Sequence, residues 1–458
     1  MASMLRSMKV WALLTALAAA AALRRQHPKS YRQTLRNGND VQYFADFKIG
    51  GQTIAGIFDT GSFEIVVRSS RCLQCLHPTL PFDHEKSKTF QKNGTLTMHN
   101  YGSGPCETML GYDNVEVGNL MAKQQPLWEI VRHNIPVLNK AKFAAIVGIG
   151  PKFGYKSEQK TLLMNYHIDE FSICLGREAG SNGFLTWGPT AKALEKEQMI
   201  SAKVYGEHHW ATKMKKVYID KGEERGDVCP QGCAAIIDSG TSLIAAPRTA
   251  LTMLAEQLGA VKEDCSNFHE LPNLRLSLDG HDFELPPRAY VMRMKGAQLE
   301  ADDIWDLLFF RPKIRKTEQC MPAFMEMNMR TQMGEMWILG MPFFREFHTT
   351  FDRQNQVMNF AKAGPDCEPL PLVTKTEKEV TKEKEVTKEA TKEATKEATK
   401  EATKEIKDTK HEVKDTKEAM LLAADPSASR PLEVDVQELI PPRLSLWYDI
   451  SQDKDLQI

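Results

Sequence analysis

Short apolar runs alternate with polar and turn residues from Gln42 to about Ala363. The segments Tyr43 to Ile49 and Asn114 to Val117 are typical, because they are short, rich in apolar residues and bounded by Gly, Asn or Asp. Such runs predict β-strands joined by turns. Helical spacing is rarer and favours helices at Thr249 to Leu258 and at Asp302 to Phe310. The region is therefore predicted to be mostly β.

The pattern changes after Pro371. From Thr374 to Glu418 the chain consists mainly of Thr, Lys, Glu and Ala, and the unit Ala-Thr-Lys-Glu repeats between Ala390 and Glu405. A period of four suits a helical turn, but it also stacks like charges on one face. Because large apolar residues are few, the segment cannot bury a core. Residues 366–458 are predicted to form a solvated tail, disordered or marginally helical, with no catalytic role.

The N-terminus has the order of a secretory signal peptide, since basic Arg6 and Lys9 precede an apolar run from Val10 to Leu23. The run is shorter than the roughly 18 residues expected of a membrane span. Residues 1–23 are predicted to be removed by cleavage near Ala22, with an uncleaved anchor as the alternative. We expect a protein without a stable membrane span, in the secretory pathway and finally outside the cell or in an acidic vacuole or lysosome.

The composition allows two sizeable cores, because the chain has 458 residues of which 42% are hydrophobic. Its 59 basic and 60 acidic residues give a formal net charge of -1. No overall field favours nucleic acid or an anionic membrane surface. We therefore expect no nucleic-acid partner.

Nine cysteines in a chain that enters the secretory pathway favour disulfides. Three pairs are suggested: Cys72–Cys75, Cys229–Cys233 and Cys265–Cys320. Cys106, Cys174 and Cys367 remain, and an odd total leaves at least one thiol free or bonded to another molecule. Cys72 and Cys75 alternatively form a redox or metal site. No second Cys-x-x-Cys or His pair lies at ligand spacing, however, so no metal site is predicted.

Two short sequences repeat one pattern. Phe58-Asp59-Thr60-Gly61-Ser62 and Ile237-Asp238-Ser239-Gly240-Thr241-Ser242 each follow an apolar run, and each half later carries two apolar residues before a glycine, Gly148 or Gly340. In such a turn, backbone N–H groups and hydroxyls can reach the carboxylate, and glycine allows close approach of the backbone. One copy is common turn chemistry. Two matched copies predict two lobes, each offering one carboxylate.

With these motifs, the chain resembles the pepsin-like aspartic proteases from Gln42 to Ala363. Tyr101-Gly102-Ser103-Gly104 resembles the tip of the family's flap, and Gly232 to Asp238 resembles the approach to the second aspartate, with Cys229 and Cys233 placed like its small disulfide loop. Trp337 to Gly340 and Phe351-Asp352-Arg353 resemble its closing segment. The resemblance implies an all-β, bilobal fold with pseudo-symmetric lobes at 42–192 and 193–365, a central cleft and a flap.

The resemblance also implies an aspartic endopeptidase that cleaves polypeptides in acid, as a monomer without a cofactor. Asp59 and Asp238 are expected to share one proton and to activate a water. The residues expected to support them are Thr60 and Ser239, which brace the loops, the turn glycines Gly61 and Gly240, and Ser62 and Thr241, which bond the carboxylates. Ser62 and Thr241 are alternatively plain turn hydroxyls. The flap residues expected to cover the substrate are Tyr101, Gly102, Ser103 and Gly104. Alternatively, Tyr101 is only an amphipathic cover residue.

Some positions depart from the family pattern. Val66 stands where the family usually has a Trp that partners the flap Tyr, and Ala144-Ala145 and Met341-Pro342 replace positions where an Asp is common. The basic strip of residues 24–41 is shorter than family pro-segments, and either lies across the acidic cleft as an inhibitor or is a flexible end.

Asn93-Gly94-Thr95 is a candidate N-glycosylation site. A catalytically idle peptide-binding protein, or an interaction protein acting through its tail, are the alternative functions.

Overall fold

The structure is a computed structural model that describes residues 30–72, 75, 79–151, 153, 160–189, 194, 198–221, 226–300, 313–372 and 432–435. The predicted signal peptide, the predicted helix at Asp302 to Phe310 and the repeat of residues 374–418 lie outside the described residues. Strands dominate the rest and helices are few, so the all-β prediction is confirmed. No helix of the described residues is long and apolar enough to cross a membrane.

The described strands are β1 (Tyr31–Gly38), β2 (Gln42–Ile49), β3 (Gln52–Asp59), β4 (Ile65–Arg68), β5 (Gln91–Tyr101), β6 (Gly104–Val117), β7 (Leu120–His133), β8 (Ala145–Gly148), β9 (Glu170–Cys174), β10 (Gly183–Trp187), β11 (Ile200–Lys203), β12 (Ala211–Ile219), β13 (Cys233–Ile237), β14 (Ile244–Ala246), β15 (Leu274–Leu278), β16 (His281–Leu285), β17 (Val291–Glu300), β18 (Lys313–Pro322), β19 (Phe324–Glu326), β20 (Arg330–Thr331), β21 (Gly334–Leu339), β22 (Phe347–Asp352), β23 (Val357–Ala363), β24 (Pro369–Leu370) and β25 (Leu432–Asp435). The described α-helices are α1 (Leu162–Tyr166), α2 (Arg248–Leu258), α3 (Pro287–Tyr290) and α4 (Met341–Glu346). Short 3-10 turns occupy His84–Lys86, Pro136–Asn139, Phe268–Glu270 and Pro365–Cys367.

The described strands form three sheets. The largest has 14 strands in the order β11-β23-β22-β9-β10-β1-β2-β3-β8-β4-β7-β6-β5, with β24 beside β23. A second, of eight strands, follows the order β16-β15-β12-β13-β21-β14-β19, with β20 beside β21, and a third joins β18, β17 and β25. Because β22 from the second half pairs with β9 from the first, the large sheet holds the two halves together.

A buried aromatic cluster packs on this shared sheet. Phe171 of β9 stacks on Phe351 of β22, with ring centroids 4.8 Å apart. Trp210 contacts both rings and donates its indole N–H to the carbonyl of Ile149 at 3.2 Å. The junction between the halves is therefore part of the hydrophobic core rather than a solvated hinge.

Residues 24–29 of the basic strip lie outside the described residues, whereas residues 31–38 form the sheet strand β1 rather than a flexible end or a segment across the cleft. It pairs antiparallel with β10 on one side and with β2 on the other. Gln33 and Leu35 of β1 are buried, and the indole of Trp187 donates to Gln33 Oε1 at 3.1 Å. Arg36 forms a two-pronged ion pair with Asp46 at 2.6 and 2.7 Å. The alternation of polar and buried positions suits a strand, which the cluster of basic residues obscures in the sequence.

The predicted helix at Thr249 to Leu258 is confirmed as α2, one residue longer at its start. It buries Ala250, Leu254 and Leu258, which recur every fourth residue on one face. The chain leaves the helix at Gly259, whose φ of 76° lies in the left-handed region that favours glycine.

The structure pairs the three suggested cysteine pairs and adds a fourth, Cys174–Cys367. The fourth disulfide joins residues 193 positions apart, at the end of β9 and just after β23. No local spacing predicts such a pair, because the sheet alone brings its ends together. Cys106 is free and buried, and burial raises the pKa of its thiol to about 12. Its role is therefore packing rather than reactivity.

Candidate active site

Asp59 ends β3, which runs parallel to β8 so that Asp59 lies beside Gly148. The loop after Asp59 then passes over Gly148, whose backbone N–H donates to the carbonyl of Glu64 at 2.8 Å. A Cβ atom at position 148 would lie 2.4 Å from the Glu64 backbone nitrogen. Only glycine fits this crossing, which explains why two apolar strand residues are followed by a glycine here.

The second half repeats the crossing. Asp238 directly follows β13, which is parallel to β21, and its backbone N–H donates to the carbonyl of Leu339 at 3.1 Å. A Cβ atom at Gly340 would lie 2.2 Å from the carbonyl oxygens of both Thr241 and Leu243. The two glycines recognised in the sequence thus have the same steric role, one beside each aspartate loop.

Each carboxylate accepts one backbone and one hydroxyl hydrogen bond. The four bonds are Gly61 N to Asp59 Oδ1 at 2.9 Å, Ser62 Oγ to Asp59 Oδ2 at 2.5 Å, Gly240 N to Asp238 Oδ1 at 2.8 Å and Thr241 Oγ1 to Asp238 Oδ2 at 2.5 Å. Ser62 and Thr241 therefore lie where the sequence motifs predict, on the outer oxygen of each carboxylate. Such donors favour the charged form and fix the orientation of each group.

Thr60 and Ser239 cross-brace the two loops. Thr60 Oγ1 accepts from the Ser239 N–H at 2.9 Å and donates to the carbonyl of Ile237 at 2.8 Å. Ser239 Oγ accepts from the Thr60 N–H at 3.2 Å and donates to the carbonyl of Phe58 at 2.6 Å. Four buried bonds thus tie one half to the other directly beneath the carboxylates, which fixes their relative position.

The two carboxyl groups face each other in a fully buried site. Both residues have zero exposure. A Cβ atom at Gly61 would lie 2.7 Å from the Asp238 carboxyl carbon, so this glycine permits the approach. Burial raises the pKa of both groups, and the negative charge of Asp238 raises the pKa of Asp59 further. The pair is therefore suited to hold one proton between two carboxylates.

The predicted flap is the hairpin of β5 and β6, which pairs Tyr101 with Gly104 around the turn at Gly102 and Ser103. Tyr101 is buried in one apolar cluster with Val66, among other residues. Ser103 Oγ is also buried, yet it has no hydrogen-bond partner among the described residues. Gly104 has a φ of 139°, which favours glycine at the end of the turn.

Three polar side chains next to this hairpin are missed by the sequence motifs. Glu64 accepts from the Trp128 indole N–H at 3.1 Å and pairs with His99 at 2.8 Å. The available signal is Glu64 itself, a carboxylate placed only two residues after Ser62 and flanked by apolar Phe63 and Ile65. The partners of Glu64 come from distant strands, so the sequence gives no spacing by which to find them.

The candidate glycosylation site lies on β5, away from the carboxylates. Asn93 is exposed, and its Oδ1 accepts from the backbone N–H and hydroxyl of Thr95 at 3.2 and 2.5 Å. The site is therefore accessible on the surface, as an acceptor for N-glycosylation must be. Its occupancy stays a prediction.

Comparison with known proteins agrees with this geometry. The family model "Eukaryotic aspartyl protease" matches residues 42–363. Cathepsin D of Dictyostelium discoideum is 32% identical over 348 residues, covering 71% of this chain and 84% of the relative. Pepsin-3 of Oryctolagus cuniculus is 30% identical over 350 residues, covering 72% and 84%. Cathepsin D of Homo sapiens is 28% identical over 367 residues, covering 72% and 83%. The chain therefore belongs to the eukaryotic aspartyl protease family and is an aspartic-type endopeptidase that acts on polypeptides.

Proposed function

We propose that the protein hydrolyses peptide bonds with a water molecule activated by Asp59 and Asp238, and that it does so best in acid. The observation that carries this proposal is the fully buried pair of carboxylates, which meet across Gly61. Each carboxylate is held by its own N–H and hydroxyl donor, and both are braced by Thr60 and Ser239. Such rigid placement is what a pair of groups needs to act on one substrate bond.

The chemistry follows from one shared proton. The ionised carboxylate takes a proton from a water bound between the two groups, while the protonated carboxyl donates a hydrogen bond to the carbonyl of the scissile peptide. Water then attacks the carbonyl carbon directly, and the tetrahedral intermediate collapses as the C–N bond breaks and the proton taken from the water passes to the leaving amine nitrogen, so no acyl-enzyme forms. The hydroxyl donors Ser62 and Thr241 and the backbone donors Gly61 and Gly240 fix the orientation of both carboxylates toward the water and the substrate.

The hairpin of residues 101–104 serves as a cover for the bound peptide. Ser103 Oγ is buried without a partner among the described residues, so a peptide N–H or carbonyl can supply one without displacing an existing bond. Tyr101 contributes a buried ring beside the turn. Closing this cover excludes water from the reacting groups and strengthens the interactions of the carboxylates with substrate.

A pH profile of peptide cleavage tests the proposal. Activity needs the singly protonated pair, so it falls below the lower titration step, where no base remains, and above the upper step, where no acid remains. We expect a bell-shaped dependence of kcat/KM with its maximum in the acid range. A rate that still rises above neutral pH would contradict the shared-proton mechanism.

The two alternative functions make different predictions for the same preparation. A catalytically idle peptide-binding protein would retain peptide affinity but show no turnover at any pH. A protein that works through its tail would lose its function when residues 374–458 are deleted, whereas the protease keeps its kcat/KM. Full activity of the truncated chain therefore separates the protease from the tail-driven alternative.

We also propose that the chain passes through the secretory pathway and that its protease unit functions as a monomer. Four disulfides among the described residues support the oxidising route. N-terminal sequencing of secreted material tests the cleavage near Ala22, and sedimentation of the purified protein tests the monomer. Retention of residues 1–23 would instead indicate the uncleaved anchor.

A further inference from the structure

Glu64 is fixed to the loop that carries Asp59. It lies two residues after Ser62, which bonds the Asp59 carboxylate, and its backbone carbonyl accepts from the Gly148 N–H at 2.8 Å. Its side chain leaves the loop and is only 21% exposed. A carboxylate in this position needs partners, because burying an unpaired charge is strongly unfavourable.

The first partner belongs to the flap hairpin. His99 Nε2 lies 2.8 Å from Glu64 Oε2, and the His99 side chain is 2% exposed. His99 stands two residues before Tyr101 on β5, and both are buried. Because alternate residues of a strand share a face, the same face of the hairpin presents the histidine and the tyrosine. Holding His99 therefore also orients Tyr101.

A chain of hydrogen bonds continues from His99 into the second flap strand. His99 Nδ1 lies 2.9 Å from Thr108 Oγ1, which donates to the carbonyl of Thr97 at 3.1 Å. His99 thus bridges the Glu64 carboxylate on one side and the Thr108 hydroxyl on the other, so that both of its ring nitrogens are engaged.

The second partner, Trp128, closes the cluster from β7. Its indole N–H donates to Glu64 Oε1 at 3.1 Å, and its ring packs edge-on against His99 with centroids 5.0 Å apart. Trp128 also lies beside Val66 in the parallel pairing of β7 with β4. This chain therefore has an indole next to position 66, where relatives usually have a Trp. Here the indole belongs to Trp128 on β7, and it bonds to Glu64.

We propose that Glu64 and His99 are positioning residues for the flap, which tie it to the loop of Asp59 so that Tyr101 and Ser103 are held in place for the substrate. They provide the polar anchor in a chain that has Val66 where relatives usually have a flap-supporting Trp. The proposal rests on the proposed aspartic protease function, since it concerns the cover of that site. Neither residue touches the reacting atoms.

The proposal predicts a specific kinetic change. A flap without its anchor must be ordered by the substrate, so binding weakens in the ground state and the transition state alike. For His99→Leu we expect KM to rise about fivefold or more while kcat per active site changes less than about twofold. Glu64→Ala should behave the same way. The effects of the two substitutions on KM should be less than additive in the double variant, because each breaks the shared Glu64–His99 bond.

The chain offers a matched control in a second buried pair. His84 Nδ1 lies 2.8 Å from Glu129 Oε1, and Glu129 also bonds Ser69, but this pair contacts neither Tyr101 nor the aspartate loops through any of these bonds. His84→Leu should reduce the yield of folded enzyme and its Tm, as loss of a buried partner does. After active sites are counted with a tight transition-state inhibitor, its KM should equal that of the wild type.

The conservative variant His99→Gln supplies a rescue, because its amide N–H can still donate to Glu64 and should restore part of the lost affinity. An unchanged KM in both His99→Leu and Glu64→Ala would overturn the proposal, as would an equal rise in His84→Leu. Should His99→Leu yield no titratable enzyme, Glu64→Ala decides alone, since Glu64 is the partly exposed member. Failure of the protease assignment is seen separately, as cleavage that survives Asp59→Asn in otherwise wild-type protein.

Discussion

The two aspartate loops are alike for four residues and then diverge. In both, the N–H two positions after the aspartate and the hydroxyl three positions after it bind the carboxylate. Five positions after the aspartate, the first loop has Glu64 and the second has Leu243. Glu64 reaches the flap hairpin, whereas Leu243 is buried with 3% exposure. The two loops therefore hold their carboxylates with the same set of bonds, and of the two residues compared only Glu64, in the first loop, bonds to the flap hairpin.

This comparison explains how one fold serves two demands. The repeated loop design gives the two carboxylates similar, fully buried surroundings. A proton can be shared between them because neither carboxylate then binds it much more strongly than the other. The difference between the loops gives only the first one a bond to the flap hairpin. Matched substitutions in the two aspartate loops test whether the loops are equivalent, and substitutions in the hairpin test whether it acts on one loop only.

The largest effect is expected from Asp59→Asn and Asp238→Asn. Each removes one member of the proton-sharing pair without changing its size, so each should lower kcat/KM by about 10³-fold or more. Circular dichroism should show an unchanged fold. Substantial cleavage by either folded variant would break the equivalence of the two loops.

The same variants have an opposite effect on stability. Burial raises the pKa of both carboxyl groups, so the pair stabilises the fold most in acid, and this contribution is lost as the pH rises through the folded pKa. Each Asn variant should therefore be more stable than the wild type near neutral pH, and the difference should shrink in acid. Thermal unfolding at both pH values measures it, and a loss of stability at neutral pH would contradict it.

The next largest effect is expected at the two crossing glycines. A Cβ atom at Gly148 or Gly340 meets backbone atoms at 2.4 or 2.2 Å, which cannot move without displacing an aspartate loop. Gly148→Ala and Gly340→Ala should each destabilise the protein by about 3 kcal/mol or more. At Gly51 nothing lies within 4 Å of the added atom, and Gly51→Ala, which carries only the strain of a φ of 79°, is the control. Equal tolerance at all three positions would refute the steric argument.

A third prediction concerns the disulfide that the sequence does not reveal. Cys174–Cys367 closes a long loop and ties the C-terminal end of β23 to β9 within the sheet shared by both halves. Cys367→Ser should destabilise the protein by about 2–5 kcal/mol. The local pair Cys72–Cys75 closes a loop of three positions, so Cys75→Ser should have a smaller effect. Denaturant midpoints compare them, and the reverse order would contradict the loop-length argument.

A smaller effect is expected at the flap tyrosine. Tyr101→Ala removes the buried ring and should lower kcat/KM about tenfold, the loss of about 1.4 kcal/mol of transition-state binding. Tyr101→Phe keeps the buried ring and its apolar contacts and should lower kcat/KM about threefold or less. Equal rates for wild type and Tyr101→Ala would leave the flap without a role in turnover.

How much the sequence predicts depends on whether a feature is local. The turns at Asp59 and Asp238, the glycines that cross them and the Cys229–Cys233 loop are each encoded within a few residues. The strand at residues 31–38 is not, because its alternation is short and its basic residues suggest a charged strip. Glu64, His99 and Trp128 lie on separate strands, and only the paired sheet brings them together. Sequence motifs therefore find the proposed catalytic pair and miss the cluster of Glu64, His99 and Trp128, which we propose positions the flap.

The smallest effect on activity is expected at His348, in the sheet that joins the halves, because this residue acts on stability alone. Burial lowers the pKa of His348 to about 4, so the folded protein keeps the ring neutral while the unfolded chain takes up a proton below its ordinary pKa of about 6.5. The resulting stability is complete above pH 6.5 and is lost as the pH falls toward 4, by about 3 kcal/mol at pH 4. This slope opposes that of the carboxylate pair, which favours acid.

His348→Gln removes the titration while keeping a polar side chain. Between pH 7 and pH 4 the wild type should lose about 3 kcal/mol more stability than this variant, as measured by urea unfolding at fixed ionic strength. Because His348 lies outside the site, kcat/KM per active site at a permissive pH should stay unchanged. The acid side of the activity bell then belongs to Asp59 and Asp238, while loss of folded enzyme in acid belongs to His348. Parallel pH dependences of unfolding in wild type and variant would show that the buried histidine is not the group that senses acid in the shared sheet.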